Sequence, residues 1–322
     1  MTRTRKGKCL TIIATLILIP IALMLLWCLF HQGLSAWERQ HTTLPGKMVT
    51  VSGQQMHLTD TNPKGTRTLV LMSGLGTTAP AEDFAPLIEG LSQSDRVVVV
   101  EPLGYGFSDG TDQPRTVSAI VSEYRGALTA AGIPGPYVLV PHSMAGVYAT
   151  AWMNAYPEEV SAFIGIDPTL PGELKYFGES APHAPAIAGL MAPLGISRLI
   201  TLLSPGTFIS NNSEGAYAKE NLDLQKTLSA WKGYNATVVA ENNAIAENMA
   251  ATQNQSFRPE IPTLIFARES SAAPVDGKTN LTFYAEKLAG LTRGQCIPLT
   301  GHHSLHWTQS SIMIQDIQEF LN

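Results

Sequence analysis

Six short apolar runs constrain this chain more than any other feature: "TLVLM" (68–72), "RVVVVE" (96–101), "YVLV" (137–140), "AFIGI" (162–166), "TLIFA" (263–267) and "QCIPL" (295–299). They are continuous rather than alternating, as strands covered on both faces should be. Ahead of them, "KMVTVSGQQMHLTDTN" (47–62) alternates apolar and polar residues around Gly53, the pattern of a hairpin. Stretches of helical periodicity lie between the runs, at 81–92, 117–131, 146–156 and 281–290, and another closes the chain at about 307–321. A hairpin followed by alternating strand and helix predicts an α/β protein. Its sheet should have eight mostly parallel strands, with helices on both faces.

The alternation breaks between about 170 and 258, where an Ala-, Leu- and Asn-rich stretch has helical periodicity and Pro/Gly punctuation. It falls after the sixth strand and predicts a helical insertion. Ligands in open α/β sheets bind outside the carboxyl ends of the strands, so such an insertion would act as a lid. The chain of 322 residues, 44% apolar, is long enough for one large core carrying that insertion.

The N-terminal segment stands apart. Arg3, Arg5, Lys6 and Lys8 precede an uncharged run from Cys9 to Phe30. As a helix it would span roughly 33 Å, against about 30 Å for a bilayer core. A cleaved signal peptide usually has a shorter apolar region ending in small residues. This run ends in Trp27, Cys28, Leu29 and Phe30. The expectation is a transmembrane anchor over 1–30, a linker over 31–46 and a folded domain over 47–322. The basic flank favours a cytoplasmic N-terminus and a body outside the cytoplasm. Beyond those four cations, 17 Lys and Arg stand against 26 Asp and Glu. An acidic body lacks the footprint of a nucleic-acid binder. Cys296 is the one cysteine beyond the apolar run, and no Cys/His spacing suggests a metal.

Three segments at strand ends carry the candidate chemistry. "VLVPHSMAGVY" (138–148) runs from a strand into a helix and must turn sharply at Ser143. Serine is common in turns for its local hydrogen bonding. It also stands at the tip of nucleophile elbows, where close packing asks for small residues two positions before and after. Here those are Pro141 and Ala145. "SGLGTT" (73–78) follows the third strand and offers backbone N–H groups to an anion. "TGHHSLHW" (300–307) follows the eighth and supplies histidines ahead of the last helix.

Across about residues 47–322 these motifs resemble the α/β-hydrolase superfamily. "LVLMSGLG" resembles its oxyanion loop, with Ser73 where histidine is usual. "EPLGYGFSDG" (101–110) resembles its loop after the fourth strand. "PHSMAG" resembles its elbow, with Pro141 and Ala145 in place of glycines. The resemblance implies Ser143 as nucleophile and His303 as base, with His302 the alternative and His306 a supporting residue. It implies oxyanion donors at the N–H groups of Leu75 and Met144, and no metal or cofactor. The acid is less direct. The usual place after the seventh strand falls near Ser270–Ser271, with no Asp there and Glu269 and Asp276 flanking it. Some branches take the acid from the end of the sixth strand, where "IGIDPTLP" supplies Asp167. A serine argues against the epoxide hydrolases and haloalkane dehalogenases of this fold, which use aspartate. The apolar run "APAIAGLMAPLGISRLITLLSPG" (184–206) favours a small-molecule carboxylic ester with an apolar acyl group. Amide, peptide or C–C bond hydrolysis on the same triad, and a non-catalytic tethered binding module, are the alternatives.

Overall fold

The computed structural model describes residues 5–269 and 276–322. The strands are β1 (Lys47–Val51), β2 (Gln54–Thr61), β3 (Thr68–Met72), β4 (Arg96–Val100), β5 (Tyr137–Pro141), β6 (Val160–Ile166), β7 (Thr263–Arg268) and β8 (Gly294–Leu299). They form an eight-stranded sheet in the order β1-β2-β4-β3-β5-β6-β7-β8. β2 pairs antiparallel with β1 and β4. The remaining pairs are parallel.

The continuous apolar runs are explained by the two faces of this sheet. Val70, Val98, Val100 and Leu139 point into one core, and Leu69, Leu71, Val97, Val99, Val138 and Val140 into the other. Burying each such side chain contributes about 1.5–3 kcal/mol. Around the sheet lie α1 (Arg5–His41), α2 (Pro80–Asp83), α3 (Ala85–Leu91), α4 (Val117–Ala130) and α5 (Ala145–Ala155). Between β6 and β7 come α6 (Glu173–Phe177), α7 (Ile196–Leu203), α8 (Lys219–Lys232), α9 (Ala236–Asn243) and α10 (Ile245–Thr252). α11 (Asn280–Leu288) precedes β8, and α12 (Ser310–Leu321) ends the chain. α4 and α5 contribute to the first core, α3 and α12 to the second.

Three boundaries differ from expectation. The helix anticipated over 81–92 is two helices, divided at Phe84, because Pro86 has no N–H to continue the ladder. The final helix starts at Ser310, after a 3-10 turn at Leu305–Trp307. The expected linker over 31–46 is helical as far as His41, so only its last residues connect α1 to β1. Its helicity is sustained by packing. Trp27 Nε1–H and Gln32 Nε2–H donate to the carbonyls of Gly195 (3.2 Å) and Pro193 (2.6 Å). Arg198 clasps Glu38 at 2.6 and 2.7 Å and donates to Ser35. α1 therefore leans on the α7 end of the insertion. From Thr11 to His41 it is also long and apolar enough to cross a membrane.

Candidate active site

The turn at Ser143 is built by its neighbours on both sides. Ser143 has φ +53°, in the left-handed region that costs a residue with a Cβ about 1–3 kcal/mol. Backbone bonds hold it there. The N–H of His142 donates to Met72 O (2.9 Å) and that of Ser143 to Ile166 O (3.2 Å), while Ser143 O accepts from Thr169 N–H (2.8 Å) and Gly146 N–H (2.9 Å). Ala145 is buried without difficulty, and Pro141 closes β5 in register with Met72. The tightest small-residue requirement falls on Gly146 and Gly74 instead. A Cβ on Gly146 would stand 2.5 Å from Thr169 O, and one on Gly74 would stand 2.9 Å from Ser143 Cβ.

Asp167 ends β6 with φ +38° and is buried. Its Oδ2 lies 2.7 Å from His303 Nδ1, and its Oδ1 accepts from Arg268 N–H (3.1 Å) and Tyr284 OH (3.4 Å). A carboxylate only accepts, so His303 Nδ1 carries a proton in this hydrogen bond. Glu269 and Asp276 are exposed, and neither bonds His303. Ser270 and Ser271 lie outside the described residues. His302 is turned away, stacked on Trp307 at 4.8 Å between centroids. Ser143 Oγ makes no direct hydrogen bond to His303; such bonds commonly tighten only with substrate in place. The two residues are linked through His142, whose ring packs 4.9 Å from that of His303 and whose Nε2 lies 3.4 Å from His303 O. Burial, with the nearby charges of His306 and His303, holds His142 well below the usual imidazole range, so its ring is neutral. Close to Asp167, Glu173 accepts from Leu170 N–H (2.9 Å). Burial, reinforced by the charge of Asp167, pushes its carboxyl up to about 7.

Behind this pair stands a second one, whose acid sequence reasoning missed. Buried His306 Nε2 lies 2.7 Å from Asp83 Oδ2, and Asp83 Oδ1 also accepts from Trp307 Nε1–H (2.8 Å) and Ser210 Oγ–H (3.0 Å). The ring of His306 meets His142 edge-on at 5.0 Å. Asp83 thus supports the histidine loop from α2, 223 residues away.

Neither Leu75 N–H nor Met144 N–H donates to a protein acceptor among the described residues. The neighbouring Gly76 N–H donates to Tyr105 OH (3.3 Å), which in turn donates to Glu241 of α9 (2.9 Å), as does Tyr148 OH (2.9 Å). Burial raises Glu241 above the usual carboxylate range, and this network ties the glycine loop to the insertion. Between them is a cavity of about 280 Å³, lined by Leu75, Gly76, Phe208, Tyr234, Val238 and Val239 among others. Glu101, in the loop after β4, is taken up structurally by His57 Nδ1 (2.8 Å) and Phe107 N–H (2.7 Å). Among the described residues no cluster of His, Cys, Asp and Glu could hold a metal ion.

The sequence profile described as the alpha/beta hydrolase family matches residues 69–311. The uncharacterized protein YbdG of Bacillus subtilis is 27% identical over 284 residues, covering 86% of this chain and 85% of that protein. Among solved structures, Cfl2 of Burkholderia cenocepacia superposes with TM-score 0.64 at 17% identity, over 86% of this chain and 95% of that one. Epoxide hydrolase A of Mycobacterium thermoresistibile does so with TM-score 0.64 at 14% identity, over 87% and 98%.

Proposed function

Since the chain belongs to the alpha/beta hydrolase family, we propose that it is a membrane-anchored serine hydrolase that cleaves carboxylic esters with apolar acyl groups. The observation that carries this reading is the Asp167–His303 hydrogen bond beside a serine held at a strained strand-to-helix turn. His303 Nε2 takes the proton of Ser143 Oγ, which attacks the ester carbonyl. Asp167 keeps the proton on Nδ1 and stabilises the imidazolium as it forms. The free N–H groups of Leu75 and Met144 receive the oxyanion; one such donor typically contributes about 2.7–4 kcal/mol to the transition state. His303 then protonates the leaving alkoxide, and water activated by the same imidazole releases the acid from Ser143. The cavity beside Leu75 offers the acyl group an apolar wall in Val238, Val239 and Phe208. A nucleophile that is serine separates this reading from epoxide opening through an alkyl-enzyme on aspartate. The uncleaved anchor is supported by the packing of Trp27, Cys28 and His31 on the insertion, which makes the end of α1 part of the folded body.

The test uses the full chain in detergent micelles with p-nitrophenyl esters from acetate to palmitate. Turnover that Ser143→Ala abolishes, together with fluorophosphonate labelling that the same change removes, supports the proposal. No turnover of any ester and no labelling of Ser143 overturns it.

A further inference from the structure

The insertion carries an apolar face that nothing among the described residues covers. α7 buries Ser197 and Thr201 and turns Leu199, Leu202 and Leu203 outward; Leu203 is 84% exposed and Leu202 69%. Ile187, 72% exposed, and Leu190, 49% exposed, continue this set of outward apolar side chains in the preceding segment. A set of this size on a water-facing surface marks an interaction site.

The neighbouring helix identifies the occupant. The apolar length of α1 is exposed from Ile12 to Leu26, and its contacts with the insertion begin where that length ends. Trp27 Nε1–H donates to Gly195 O and Cys28 Sγ–H to Leu194 O. A Cβ on Gly195 would stand 2.6 Å from the His31 ring and 2.8 Å from Trp27 Nε1, so the two segments touch as closely as backbone allows. Gly195 is also the residue from which α7 starts. With Cys9–Phe30 filling a bilayer core, Gly195 lies at the level where hydrocarbon gives way to headgroups. α7 is eight residues, roughly 12 Å. The whole of its exposed face therefore falls within a helix length of that boundary. Interfacial helices bury an apolar face to a depth of about 5–10 Å there.

Segments that adjoin this face in sequence line the cavity beside Leu75. Ala184 lines that cavity three residues before Ile187, and Thr207 and Phe208 line it four and five residues after Leu203. Thr207 and Tyr234, two of the wall residues, are exposed. Outward apolar side chains thus lie within three to five residues of the wall along the chain, before it and after it.

We propose that Ile187, Leu190, Leu199, Leu202 and Leu203 rest in the bilayer interface beside α1, and that the cavity receives its substrate from the membrane, making the substrate an acyl ester of a membrane lipid. The substrate half rests on Ser143 being a nucleophile; the membrane half does not.

The experiment reconstitutes the full chain in phosphatidylcholine vesicles. One arm places the fluorophore NBD at Leu203→Cys, with exposed Lys64→Cys, in the loop at the amino-terminal end of β3, as a control, in a background with Cys9, Cys28 and Cys296 changed to Ser. Position 203 is expected to show blue-shifted emission and at least twofold quenching by doxyl-labelled lipid, and position 64 neither. Equal quenching at both sites, or a blue shift at 203 that disappears on diluting protein into excess lipid, overturns the proposal; the latter would mean that a second copy covers the face. The other arm compares Leu202→Glu/Leu203→Glu with the parent chain. The ratio of diacylglycerol hydrolysis in vesicles to p-nitrophenyl butyrate hydrolysis is expected to fall at least tenfold. An unchanged ratio overturns membrane delivery. Absence of both activities, with quenching at 203 intact, overturns the lipid-ester half through the nucleophile and leaves the interfacial face established.

Discussion

His303 receives one hydrogen bond partner that matters, and at the scale of single residues that partner ranks the carboxylates. Asp167 holds Nδ1, while Glu269 and Asp276 stand in solvent. Asp167→Asn is expected to lower kcat roughly 10⁴-fold by favouring the wrong imidazole tautomer. Glu269→Gln should leave kcat within about twofold in the same assay. His302→Gln should likewise be silent, because its ring stacks on Trp307 and does not face Asp167. The serine, the histidine loop and the carboxylate at the end of β6 were legible because each sits at the end of an apolar run. The pairing of Asp83 with His306 was not: nothing local marks two residues on α2 and in a 3-10 turn as partners when 223 positions separate them. The glycines that the turn requires were legible in kind but not in place. The close approach falls on Gly146, against Thr169 O, rather than on the position held by Ala145.

At the scale of elements, that approach sets how closely α5 packs on the loop after β6. Gly146→Ala would press a methyl group into backbone, and overpacking of this kind costs about 1–3 kcal/mol. Thermal unfolding should show the loss, with ester turnover falling alongside as Ser143 is displaced. The eight strands were readable because burial on both faces leaves continuous apolar runs. The end of α1 was not, since residues 31–41 mix polar, charged and aromatic side chains and owe their helicity to the insertion. Glu38 accepts from both Arg198 and Trp231 Nε1–H there. Glu38→Gln should destabilise that seam by about 1–3 kcal/mol. Limited proteolysis should then cut first between α1 and β1.

For the molecule as a whole, the desolvated carboxyl of half-buried Glu173 makes stability depend on pH near neutrality. Its ordinary value is 4.5 and its value in the fold is about 7, so between these the folded state binds more protons than the unfolded one. The stabilisation is fully present below about pH 4.5 and is lost as pH rises through 7. Glu173→Gln should flatten the decline in Tm over that window and leave the variant more stable than the parent at pH 8. A scan of Tm against pH for both proteins checks it; parallel curves would mean that Glu173 is ionised in the fold at pH 6. The pH dependence was invisible in the sequence, because a lone glutamate in a Pro/Gly-rich stretch reads as surface.

The clasp of Arg198 on Glu38 joins positions 160 residues apart. During synthesis α1 is made before α7 and must wait for its seat. At about 5–20 residues per second that wait lasts roughly 8–32 s. Throughout it the polar edge of α1 (His31, Ser35 and Glu38) lacks its partner Arg198. The seam between α1 and α7 is therefore a late, long-range contact, closed only after residue 198 has been made.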